Sequence, residues 1–360
     1  MPRKAVRLAD VAAAAGVSVS TVSKILKGDG RASAATRARV LETARRLDFR
    51  PNPLAQSFVT GRSLVVGVLA ENAPSTFSMP VIIGAQSSLG RADLAALMYD
   101  ARNDPKARTE ALRKLQARRV DGLIVIGEGP DIDYPPVPAD FDVPTVYTYT
   151  SYRDPRVVSY TVDNVAIGQM AARHLIELGR TRIAHVAAGR SLRSTIDRHE
   201  GFATTLADAG LPLVFSGPLY GDWKRTWGSE AARIILGSGT QVDAIFAASD
   251  DIAVGLYATL RGGGVRIPDD IALIGVDNYA KVPGRGDRFL TTIDRRLPQL
   301  GSSAADHLIR LIGGSTESGG AFPTASELIV GATTRPDLVG PVEQEIDTYL
   351  TDAVSDADRG

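Results

Sequence analysis

Apolar positions in the first fifty residues recur at helical spacing, and beyond Ser63 they gather into short solid runs. Leu8, Val11, Ala12 and Ala15, then Val19, Val22, Ile25 and Leu26, trace two short amphipathic helices broken at Gly16-Val17-Ser18. This predicts a helix-turn-helix. Gly16 is suited to the left-handed conformation that ends the first helix, and Ser18 to capping the second. A third helix is predicted over residues 34–49, capped by Ser33, with Val40, Leu41, Ala44 and Leu47 on one face and arginines on the other. After it, Asn52 is a natural N-cap and Pro53 fits the first helical position, but the segment to Val59 is too short to be stable alone. It is expected to order on binding.

From Ser63 the runs LVVGVLA, ALMYDA, DGLIVIG and TVYTYT read as buried strands separated by helix-length segments at residues 80–91 and 105–119. A second series follows: a helix over 164–178, RIAHVAA, a helix over 198–209, AIFAASD, a helix after Ile252, and IALIGVDN. The fold class is therefore α/β: a three-helix headpiece with a short hinge helix, then a periplasmic-binding-protein-like body of two parallel-sheet subdomains with a cleft between them. The expected divisions are headpiece 1–50, hinge 51–62, body 63–335 and tail 336–360. Within the body, 63–160 with 292–323 form one subdomain and 161–291 with 324–335 the other. Crossovers are placed near 159–163, 290–293 and 323–326. In the tail, Val342, Ile346, Tyr349, Leu350 and Ala353 have helical spacing, but the stripe is shorter than a coiled coil needs.

Composition changes this picture in two ways. The 44% hydrophobic content supports a sizeable core, and no apolar run approaches a membrane span or a signal-peptide core, so a cytoplasmic protein is expected. The net charge is zero, yet residues 1–63 hold 12 Lys/Arg against 4 Asp/Glu. A cationic headpiece on an acidic body is what phosphate binding at one end requires. The first turns of the second helix would enter the major groove, which makes Val19, Ser20 and Lys24 candidate base readers. Ser18, Thr21, Ser23, Ser33, Thr36 and Asn52 are candidate backbone contacts.

Catalytic chemistry finds little support. Cysteine is absent, and His174, His185, His199 and His307 fall on separate elements without metal-ligand spacing. Gly127-Glu128-Gly129 reads as a loop rather than a dinucleotide fingerprint, and Asp250-Asp251 and Asp269-Asp270 sit where a helix start and a turn favour Asp anyway. No cofactor and no metal are expected.

LADVAAAAGVSVSTVSKIL and SAATRARVLETARRLDFRPNPLAQSFVTGRS resemble the headpiece and hinge of the lactose-repressor/galactose-repressor (LacI–GalR) family of bacterial regulators. The likeness continues through RRVDGLIVIG, TVDNVAIGQMAARHLIELGRTRIAHV, RHEGFATTLADAGL, ASDDIAVGLYATLR, GGVRIPDDIALIGVDN and LTTI. It implies a homodimer on pseudo-palindromic double-stranded operator DNA, with hinge residues Ala55, Gln56 and Phe58 in the minor groove. Phe58 stands where the family wedges a Leu, and Phe is also able to prise base steps apart.

The resemblance also implies an effector in the cleft. Arg198 matches the arginine that forks onto ligand oxygens, and Asp277 the carboxylate that accepts from ligand hydroxyls. Trp223 is either a stacking wall or a packing anchor. Asn72 and Phe77 fall at ligand-facing positions in an altered segment. Tyr149 stands where some sugar-binding members carry Asp, and Ser249 where Asn is common. The implied function is a repressor of carbohydrate-use genes responding to a sugar or glycoside. A nucleobase or nucleoside corepressor, and more remotely a plain solute-binding protein, are the alternatives.

Overall fold

The computed structural model describes residues 6–26, 32–49, 62–150, 154–279 and 289–335. Asn52, Ala55, Gln56 and Phe58, and the tail from residue 336, lie outside them. The chain divides into two compact units, Met1–Leu64 and Val65–Gly360.

The first unit contains α1 (Leu8–Ala15), α2 (Val19–Leu26) and α3 (Ala34–Arg46). Gly16 sits at φ 65° and ψ 39° and closes α1, so that α2 departs at 105° to it. That is the crossing a helix-turn-helix requires. Val11, Val22 and Val40, one from each helix, are fully buried where the three meet, and Arg39 Nε donates to Ala15 O (3.0 Å) to tie α3 to the end of α1. The third helix stops at Arg46, short of the expected residue 49, because Leu47 leaves the ladder and Asp48 turns to φ 49°.

The second unit holds two six-stranded sheets. In the first, the order is β11 (Gly320–Thr324), β5 (Val158–Val162), β4 (Thr145–Thr150), β3 (Gly122–Gly129), β1 (Val65–Ala70), β2 (Ala95–Asp100). In the second it is β12 (Glu327–Ile329), β10 (Thr291–Asp294), β9 (Ala272–Val276), β8 (Ala244–Ala247), β6 (Ile183–Ala187), β7 (Leu219–Tyr220). The β10–β12 pair is antiparallel and the other pairings are parallel. Strands β6, β8 and β9 are buried at every residue, as strands covered by helices on both faces must be. Each sheet reverses its strand order once, between β1 and β3 and between β6 and β8, which places a crevice at the carboxyl ends of those strands.

The sheets correct two sequence expectations. β10 pairs with β9, so the chain returns to the first lobe after Asp294 rather than within 290–293. Its polar Thr291-Thr292 start gave no sign of which sheet would take it. Gly127-Glu128-Gly129 is not a loop but the end of β3.

The covering helices are α4 (Ser78–Arg91), α5 (Pro105–Ala117), α6 (Asn164–Glu177), α7 (Arg193–Asp208), α8 (Arg225–Gly237), α9 (Asp250–Gly262) and α10 (Leu297–Ile312). Three pairs cross by the same device, a glycine on each helix laid against the other's backbone. A Cβ at Gly168 of α6 would stand 2.0 Å from Arg198 O, and one at Gly201 of α7 would stand 2.0 Å from Val165 O. Gly84 on α4 with Gly301 on α10, and Gly228 on α8 with Gly255 on α9, repeat it. The α6–α7 crossing sets Arg198 beside the start of α6.

Gly84→Ala is expected to cost about 1–3 kcal/mol in thermal or denaturant unfolding, since its Cβ would overlap Pro298 O. Gly90→Ala on the same helix, where nothing lies within 4 Å, should be neutral or stabilising by up to about 1 kcal/mol. Equal effects at the two sites would contradict the close-approach account.

Candidate nucleic-acid interface and effector cleft

The headpiece presents the start of α2 to solvent. Ser18 Oγ accepts from Thr21 N (3.2 Å) and lies 2.8 Å from both Ser20 Oγ and Thr21 Oγ1. Val19 is 46% exposed, an apolar side chain left in water by a helix that buries Val22 and Ile25 on its other face. Ser20 and Lys24, one turn apart, share the exposed side, while Thr21 and Ser23 are half-buried. Ser33 caps α3 in the same way, accepting from Thr36 N (3.2 Å) beside Thr36 Oγ1 (2.8 Å). Ser18 and Ser33 therefore cap the N-termini of α2 and α3, and a helix N-terminus favours an anion such as a phosphate oxygen.

In the second unit the carboxyl ends of both sheets converge on one buried guanidinium. Arg295, directly after β10, lies with Nε 2.9 Å from Asp277 Oδ1 at the end of β9. Its Nη1 donates to Tyr149 OH of β4 (3.1 Å), and its guanidinium covers the Phe77 ring at 4.2 Å. Asp277 and Arg295 belong to the second sheet's strand ends, Tyr149 and Phe77 to the first lobe. Burial pushes the Asp277 carboxyl above its ordinary range, against the pull of Arg295 and Arg198. Tyr149 and Asp277 both hold positive φ, 52° and 120°, a strained backbone that the surrounding contacts must maintain.

Among the described residues, Arg198 forms no ion pair. Its Nε donates to Asn164 Oδ1 at the start of α6 (2.9 Å), its Nη1 to Ala248 O, and its guanidinium lies 5.7 Å from the Trp223 ring. Burial pulls its pKa down to about 10, which leaves it cationic at neutral pH. Trp223 is half-buried against the second lobe's core, so it both anchors its loop and faces the arginine.

Three predicted residues are already engaged with the protein. Ser249 Oγ accepts from Ile252 N (3.3 Å) as the N-cap of α9. Asn72 Nδ2 donates to Glu128 Oε1 (2.8 Å), and Asn103 Nδ2 donates to the other oxygen of that carboxylate (2.7 Å). Phe77 carries the Arg295 guanidinium and meets Tyr279 edge-on at 5.9 Å.

Sequence reasoning missed Arg295, Glu128 and Asp131. Asp131, beyond β3, accepts from Ser194 N (2.8 Å) and Ser194 Oγ (2.6 Å) at the start of α7, a second link between the lobes. The available signal was positional: each follows or ends a strand at the carboxyl edge where ligands bind in such sheets. An open groove of about 820 Å³ at the opposite ends of the second sheet's strands, beside Arg180, Arg182 and Asp243, is lined by none of the predicted residues. His185 and His199 come within 3.4 Å despite their separate elements, but among the described residues no group of three or more His, Cys, Asp or Glu could hold a metal. No single described helix is long and apolar enough to cross a membrane.

Residues 7–52 match the family model described as bacterial regulatory proteins, lacI family, and residues 63–327 match the periplasmic binding proteins and sugar binding domain of the LacI family. The HTH-type transcriptional regulator CelR of Thermobifida fusca is 31% identical over 314 residues, covering 85% of this chain and 92% of that one. Among solved structures, the Lac repressor dimer bound to operator and the anti-inducer ONPF is 26% identical with a TM-score of 0.67, over 92% of this chain and 99% of that one. A transcriptional regulator CelR–cellobiose complex is 25% identical with a TM-score of 0.60, over 91% and 99%. The chain thus belongs to the LacI family, and is a ligand-responsive DNA-binding transcriptional regulator, not an enzyme.

Proposed function

We propose that this regulator is a homodimeric repressor of carbohydrate-use genes, binding a pseudo-palindromic operator through two headpieces and responding to a sugar or glycoside held between the two lobes. The observation that carries the reading is the convergence of Arg198, Asp277, Arg295 and Tyr149 from both lobes on one buried polar point. A ligand there touches both lobes at once, so its binding biases their closure. The solved relatives titled as operator-bound dimer and as cellobiose complex support the same assignment of partners.

Base reading is assigned to Val19, Ser20 and Lys24. Exposed Val19 is suited to a thymine methyl, and Lys24 to a guanine edge or a phosphate. Ser18, Thr21, Ser23, Ser33, Thr36 and Asn52 hold the backbone, with Ala55, Gln56 and Phe58 in the minor groove. Dimerisation is assigned to the first lobe's outer face. Met79 and Ile83 of α4 and Met98 of edge strand β2 are 42%, 57% and 45% exposed, an apolar face beside an unpaired strand edge.

The test is fluorescence anisotropy of the gene's own upstream fragment, titrated with protein and challenged with sugars, glycosides and nucleosides. Release by a sugar supports an induced repressor. Response to nucleosides alone would move the assignment to the nucleobase class, and no preference over scrambled DNA would contradict autoregulation. Val19→Ala should weaken specific binding by about tenfold, near 1.4 kcal/mol, with non-specific binding and melting temperature unchanged. An unchanged ratio of specific to non-specific affinity would remove Val19 from the readers. Ile83→Glu should convert the protein to monomers in light scattering and lower operator affinity with it, and a dimer persisting at micromolar concentration would place the interface elsewhere.

A further inference from the structure

Two buried guanidiniums line the cleft. Arg198 and Arg295 are 3% and 6% exposed, and each bears on the charge of the other. Asp277 is the carboxylate that ion-pairs with Arg295, while Arg198 rests on the neutral oxygens of Asn164 and Ala248. Two neighbouring carboxylates accept hydrogen bonds from uncharged groups. Asp131 accepts twice from Ser194, and Asp250 accepts from Thr292 Oγ1 (2.6 Å) and Tyr279 N (2.9 Å).

Arg295 is also incompletely satisfied. The approach of Nε to Asp277 is close enough for charge attraction, but neither Nε nor Nη2 has a hydrogen-bond partner, although both atoms are buried. A buried charged donor without an acceptor costs free energy that a ligand oxygen would return. The guanidinium is fixed from the other side, with Nη1 on Tyr149 and the plane over Phe77, so its fork is held rather than swinging. A buried, fixed cationic donor of this kind suits an anionic oxygen of a carboxylate or phosphate.

We infer that the effector is a polyhydroxylated molecule carrying one acid group, an anionic oxygen of which is taken by the unpartnered Nη2 of Arg295 while Asp277 and Arg198 hold its hydroxyls. The inference rests on the reading of the cleft as a sugar site and narrows the ligand from neutral sugars to sugar acids or sugar phosphates. Arg295 is the residue that sets this preference.

The test is calorimetric titration of the full-length protein, with operator release measured in parallel, against matched sets. D-Glucose is compared with D-gluconate, D-glucuronate and glucose 6-phosphate, and cellobiose with cellobionate. The expected result is that one acid member binds at least about tenfold tighter than its neutral parent. A carboxylate winner and a phosphate winner distinguish the two sources of the anion. Arg295→Gln should bring the acid-to-neutral ratio to within about threefold of unity. A neutral parent binding as tightly as its acid, or no acid bound in any set, overturns the inference whether or not the variants fold. Failure of the wider reading has a different signature. If a neutral sugar binds and releases operator, the repressor stands and the acid preference falls. If an acid binds with the Arg295 dependence and operator affinity does not move, the preference stands and the effector-controlled repressor falls.

Discussion

The buried Asp277–Arg295 pair is the constraint on which the geometry of the second unit's cleft depends. A buried ion pair is a poor source of net stability, because desolvation offsets most of the Coulomb attraction. Removing one partner is another matter, since it strands the other charge at a cost of about 3–5 kcal/mol. The pair therefore fixes geometry more than it adds stability. It holds a second-lobe strand end against Tyr149 and Phe77 of the first lobe. Asp131 with Ser194 forms a second link between the lobes, from beyond β3 to the start of α7.

Supporting that pair is a scaffold of closely crossed helices. The reciprocal glycines of α6 and α7 bring Arg198 onto the neck of α6, where Asn164 receives its Nε. A bulkier residue at Gly168 would push α7 away and carry Arg198 with it. Packing, hydrogen bonding and the placement of a buried charge are here one arrangement.

The parts of this structure governed by local rules were legible in the sequence. Gly16, Ser18 and Ser33 do what their types and positions predict, because capping and left-handed turns involve neighbours a few residues away. The buried strands were legible for the same reason, as solid apolar runs leave few alternatives. What was hidden depends on distant partners. Tyr149 and Arg295 are separated by 146 residues and Asp131 and Ser194 by 63, and no periodicity records which polar strand ends will meet. β10 was assigned to the wrong lobe because its polar residues carry no sheet address, while β7 and β11 are too short or too mixed in burial to show a pattern. Asn72 and Ser249 were read as ligand-facing, and their engagement with Glu128 and with the α9 N-terminus could not be read from the chain.

The central claim is that occupancy of the cleft and affinity for operator are two sides of one equilibrium. Linkage requires that an effector changing DNA affinity by some factor has its own affinity changed by the same factor when DNA is bound. The most direct measurement is calorimetry of the identified effector with the free protein and with the operator-saturated protein, beside operator anisotropy with and without effector. The account predicts equal factors from the two experiments, of about 5- to 150-fold. An effector that binds free and operator-saturated protein with the same affinity would contradict it.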